Sequence, residues 1–130
     1  MTDDELVQAF ESAELPADAF THAAHVRVAW CYLKMAPFHL ALARFATALQ
    51  AFATAKSAAA KYHETLTVAW MALIAERLAS TPDLDWDGFA ETHIDLFAQP
   101  SIVSRCYKAE TLKSERAKCV FLLPDAVRIG

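Results

Sequence analysis

Apolar residues recur at intervals of three and four along most of the chain, and prolines and short polar clusters mark where the pattern stops. Leu6, Phe10 and Ala13 lie on one helical stripe, and Thr2 with Glu5 has the form of a capping box. A first helix is therefore predicted over about residues 3–14, closed by Pro16. Thr21 is placed as the N-cap of a second helix, which carries Val26, Trp30 and Leu33 inward until Pro37 interrupts it. Phe38, Leu42, Phe45, Leu49 and Phe52 form one of the clearest amphipathic patterns, with Arg44, Thr47, Ala51 and Thr54 on the opposite side. Lys56 to Lys61 is alanine-rich without Gly or Pro, which leaves open whether this helix ends or only bends.

A further helix is predicted over about residues 62–79, with Leu66, Trp70, Leu73 and Ile74 facing inward and Ser80-Thr81-Pro82 closing it. Asp85 caps the next, which runs through Trp86, Phe89, Ala90, His93 and Phe97 to Gln99-Pro100. Periodicity then weakens: residues 101–122 are expected to hold one or two short helices, with Ser114 as a cap, and Leu123-Pro124-Asp125 opens an irregular tail. The expectation is an all-α, single-domain bundle over residues 1–130, with about five to six helices and a short irregular C-terminal tail.

Composition supports this reading. With 55% hydrophobic residues, two glycines and no asparagine, the chain is poor in the residues that populate tight hairpin turns. Sixteen carboxylates against twelve Lys and Arg argue against a general nucleic-acid or anionic-membrane surface. No apolar run reaches the roughly 18 residues of a membrane span. Met-Thr-Asp-Asp-Glu is acidic where a targeting segment would be basic, so a cytoplasmic location is expected. Cys31, Cys106 and Cys119 match neither a disulfide framework nor a paired zinc motif and are read as reduced thiols.

Candidate chemistry gathers in two polar clusters, Phe20-Thr21-His22-Ala23-Ala24-His25 and Tyr62-His63-Glu64-Thr65. His22 and His25 are three apart and share a helix side, so they can address one centre. The plainer alternative is a hydrated His22 and a His25 packed beneath Phe20 as a hydrophobic staple. His63 shares its predicted stripe with Leu66, Trp70 and Ile74, and a buried imidazole needs a partner. Three imidazoles with open positions would suit a catalytic divalent transition metal (Zn, Fe, Mn or Ni). Glu64 diverges from His63 by about 100° and is cast as a catalytic general base or as an orienter of a ligand, with a capping-turn carboxylate as its alternative. His39 is expected in an exposed first turn and His93 in the core, with Trp30, Trp70 and Trp86 as core walls. Residues 105–118 hold five of the twelve basic residues, and are read as a solvated face in preference to an anion-binding edge.

Phe20-x-His22-x-x-His25 with Ala29-Trp30, Tyr62-His63-Glu64-Thr65-x-Thr67-x-x-Trp70, and Tyr107-x-x-Glu110-x-Leu112-x-Ser114 with Pro124-Asp125 together resemble a family of small all-helical bacterial proteins of uncharacterised function. The motifs span residues 20–125. The resemblance implies that His22, His25, His63 and Glu64 belong to one module and implies no reaction. Two functions follow as expectations. One is a metal-dependent enzyme acting on a small molecule; the other is a non-catalytic helical module that binds a ligand or partner without metal. So apolar a composition also suits a helix-packed homodimer.

Overall fold

The computed structural model describes residues 1–126, and within them the chain is all-α with no strand. Seven α-helices appear: α1 (Asp3–Glu11), α2 (His22–Met35), α3 (Phe38–Ala55), α4 (Glu64–Ser80), α5 (Trp86–Thr92), α6 (Ala109–Lys113) and α7 (Glu115–Cys119). Short 3-10 turns at Ala17–Ala19, Ala59–Lys61, Ile94–Phe97 and Val103–Cys106 join them. The count exceeds the expected five to six because the weakly periodic region resolves into two five-residue helices. The final positions of the expected irregular tail, 127–130, lie outside the described residues.

Most helix starts follow the caps the sequence carries. Thr2 and Glu5 form a reciprocal capping box, while Thr21 Oγ1, Asp85 Oδ1 and Ser114 Oγ accept from the backbone N–H of Ala24, Gly88 and Ala117. The ends depart more. α1 stops at Glu11 because Ala13 enters the left-handed region at φ 61°, and Leu15 N–H then donates to Ala9 O. α3 stops in the same way: Ser57 has φ 57°, and Ala58 N–H closes back onto Ala53 O at 2.7 Å, the bond of a Schellman turn. A non-glycine residue in that conformation carries a steric cost of about 1 kcal/mol.

α2 packs against α1, α3 and α4 and forms the centre of the bundle. One side of its core is an aromatic stack in which the ring of Phe10 lies 5.1 Å from both Phe20 and Phe52 and 6.0 Å from Phe45. The other side joins Trp30 to Trp86 and Phe89. Burying one such ring contributes about 1.5–3 kcal/mol. On α4 the buried positions are Thr65, Thr67, Met71 and Ile74, one step round from the expected Leu66, Trp70 and Leu73, which are only half-buried.

His93 is a buried core residue. Thr81 Oγ1 donates to Arg77 O and so accepts from His93 Nε2–H at 2.8 Å, leaving Nδ1 to accept from Arg77 at 3.3 Å. Arg77 also forms a two-pronged ion pair with Asp95. With its ring held under the end of α4, His93 leaves helical geometry, so α5 ends at Thr92 and does not run on to Phe97.

The C-terminal segment is lashed to α4. Buried Thr65 donates to Val120 O at 2.8 Å and accepts from Leu122 N–H at 3.1 Å. Tyr107 donates its hydroxyl proton to Leu122 O, and Asp125 accepts from Lys108 N–H and from the Thr111 hydroxyl. No helix is long and apolar enough to cross a membrane among the described residues.

Candidate functional site

His22 opens α2 exposed to solvent, its Nε2 3.1 Å from Leu96 O and its ring edge-on to Trp70 and Phe97. The nearby carbonyl makes Nε2 the protonated donor. His25, one turn on, is half-buried, stacked on Phe20 at 5.1 Å and tilted on Phe45 at 5.5 Å. Phe20 and His25 thus form the staple that closes the entry to α2.

His63 does not lie on the apolar stripe of α4. It is the N-cap residue, in extended geometry, and the helix begins at Glu64. Its Nδ1 accepts from Leu66 N–H at 3.1 Å, so Nε2 carries the proton donated to Leu112 O at 2.8 Å. Both nitrogens serve the backbone: one caps α4 and the other ties α6 to it. Among the described residues, no three His, Cys, Asp or Glu side chains are grouped so as to hold a metal. The expected His22, His25 and His63 ligand set is therefore not assembled, because the His63 lone pair caps a helix.

Glu64, the expected base, accepts from the Tyr62 hydroxyl at 2.6 Å. Burial, then this bond to a carboxylate, pushes the Tyr62 phenol up to about 12. Glu64 does sit in the first turn of α4, where the macrodipole favours a carboxylate.

Two of the sequence candidates meet at a cavity of about 350 Å³ between α2, α3 and α4. Phe20, Phe52 and Trp70 supply aromatic surface, and Leu49, Ala53 and Leu66 aliphatic surface. His25, His63, Tyr62 and Thr67 line it as well, with Lys56 and Lys61. Of these polar groups, Thr67 donates to His63 O at 2.8 Å, and Lys56 Nζ donates to Ala13 O at 2.8 Å while lying 5.4 Å above the Phe52 ring. His25 is different. Neither ring nitrogen has a hydrogen-bond partner among the described residues, yet neither is sealed from solvent. Desolvation, reinforced by the charge of His22, pushes its pKa down to about 4, so the ring is neutral at pH 7 and offers one donor and one acceptor.

Sequence reasoning passed over Lys56, Lys61 and Phe52 as parts of a site. Their only signal was the pair of lysines bracketing the alanine-rich segment, where the turn after α3 folds back toward α4. No protein-family model, no curated protein and no solved structure matches the chain.

Proposed function

We propose that the protein is a helical module that binds a small organic molecule in the cavity between α2, α3 and α4. One observation carries this reading: a mainly apolar cavity is lined by three aromatic side chains and by His25, a neutral imidazole whose solvent-open ring nitrogens have no hydrogen-bond partner among the described residues. Small-molecule sites combine apolar walls with a few polar groups that fix orientation. At about 350 Å³ the cavity lies at the lower end of the usual ligand-site range. In this reading His25 orients the ligand through one ring nitrogen, Phe20, Phe52 and Trp70 hold its apolar body, and His63 and Glu64 keep the cavity wall in place through Leu66, Leu112 and Tyr62.

The test is a fragment screen followed by NMR on protein labelled in its His and Trp side chains. Fragments are expected to shift His25 and Trp70 together, and Ala53→Trp, which fills the cavity, is expected to abolish the effect. The reading fails if no fragment perturbs these rings. Titration with Zn²⁺, Mn²⁺, Ni²⁺ or Fe²⁺ runs beside it as the rival measurement. A melting temperature raised by one metal in wild type, but not in His22→Ala, His25→Ala and His63→Ala, would replace this proposal with a metal site.

A further inference from the structure

The charges around the cavity run against those of the chain. The protein has 16 acidic and 12 basic residues, yet among the described residues the cavity is lined by two lysines and no Asp or Glu. Glu64, adjacent in sequence to the lining residue His63, turns its carboxylate to the Tyr62 hydroxyl and is not a lining residue itself. The two cations are not equivalent. The Lys56 ammonium is engaged by Ala13 O, whereas the side chain of exposed Lys61 makes no hydrogen bond or ion pair among the described residues. Lys61 belongs to the Ala59–Lys61 turn, placed next to Tyr62 and His63 on the same cavity.

We infer that the ligand is a small aromatic carboxylate, with its ring among Phe20, Phe52 and Trp70 and its anionic group at Lys61. This inference rests on the cavity being a ligand site. Three aromatic side chains offer edges and faces against which a planar apolar ring packs. An ammonium without a protein counter-ion at the rim favours an anion there, and Lys56 adds charge of the same sign. The absence of an acidic residue from the lining disfavours an amine, which would meet two like charges. His25, neutral at pH 7, donates to or accepts from a ring substituent without adding charge of its own.

Matched pairs of benzoate-sized and naphthoate-sized acids and their primary amides test this by calorimetric titration, with NMR shifts at His25, Tyr62 and Trp70 locating the bound molecule. The acids are expected to bind about tenfold tighter than the amides, the size of one charge-assisted hydrogen bond. Lys61→Met, which keeps the apolar stem, is expected to remove most of that preference. Raising salt from about 50 to about 500 mM is expected to weaken the acids alone.

Equal binding of acids and amides, with shifts at the three rings, overturns the anion inference and leaves the cavity reading standing. An acid preference that survives Lys61→Met overturns the assignment to Lys61. Absence of any shift at the three rings with either series overturns both. The wild-type shift map locates binding without relying on whether a cavity-filling variant folds.

Discussion

The two sides of the N-terminal half of α4 show opposite treatments of polar side chains. At its start, on the side facing the C-terminal segment, each polar group is spent on the backbone. His63 serves Leu66 and Leu112, Thr65 serves Val120 and Leu122, and Tyr107 and Asp125 close the same lash. On the side facing α2 and α3, the imidazole of His25 is left without a partner beside an apolar cavity. A satisfied network stiffens and specifies a fold, whereas a ring whose nitrogens stay open to a cavity contributes no such tie. The difference divides residues that look alike in sequence by whether distant backbone groups reach them.

The largest effect expected from this contrast is on pH dependence. The His25 pKa is pushed below its ordinary 6.5 to about 4, so the unfolded chain binds the extra proton between these values. Stability from the neutral ring is complete above about pH 6.5, is lost as pH falls toward 4, and changes no further below that. The loss is at most about 3 kcal/mol. His25→Phe keeps the stack on Phe20 and is expected to flatten this part of the curve. Urea unfolding of both proteins at several pH values measures it, and an unchanged slope in the variant would show that His25 is not the group concerned.

Thr65→Val tests the lash. It preserves shape while leaving Val120 O and Leu122 N–H without their partner, at an expected cost of about 2 kcal/mol. Hydrogen exchange at the Leu122 amide is expected to quicken, with ligand binding in the cavity unchanged. A simultaneous loss of binding would mean that the two regions are not separate.

Tyr62→Phe probes the boundary between them, since Tyr62 lines the cavity but directs its hydroxyl to Glu64. A destabilisation of about 1 kcal/mol is expected in thermal unfolding, because one hydrogen bond is lost from a partly buried pair. Binding that collapses in this variant would move the hydroxyl from the wall to the ligand. The smallest change is a gain: Ser57→Gly relieves the left-handed turn between Lys56 and Ala58, both at the cavity, and is expected to add about 0.5–1 kcal/mol. A loss of melting temperature in this variant would contradict the turn assigned there.

The helical class, the order of the main helices and the caps Thr2, Thr21, Asp85 and Ser114 were legible in the sequence, because each rests on contacts within a few residues. Where α3 ends was not legible: Ser57 takes a conformation usually left to glycine, and the turn is held by the lysine and alanine contacts around it. The end of α5 was hidden for the same kind of reason, since His93 is held by Arg77 and Thr81 of another helix.

The candidate site divides along the same line. Local spacing alone placed His22, His25, His63 and Glu64 near helix starts, and it paired Phe20 with His25. Only tertiary structure decided what each does. Leu112 and Leu96 carbonyls arrive from distant segments to take the protons of His63 and His22, while the further aromatic walls that α3 and α4 add to the local stack of Phe20 and His25 bring His25 no partner. The physical reason is that sequence spacing sets which side chains share a face, but the free valence of an imidazole depends on which backbone groups long-range packing brings within hydrogen-bond reach.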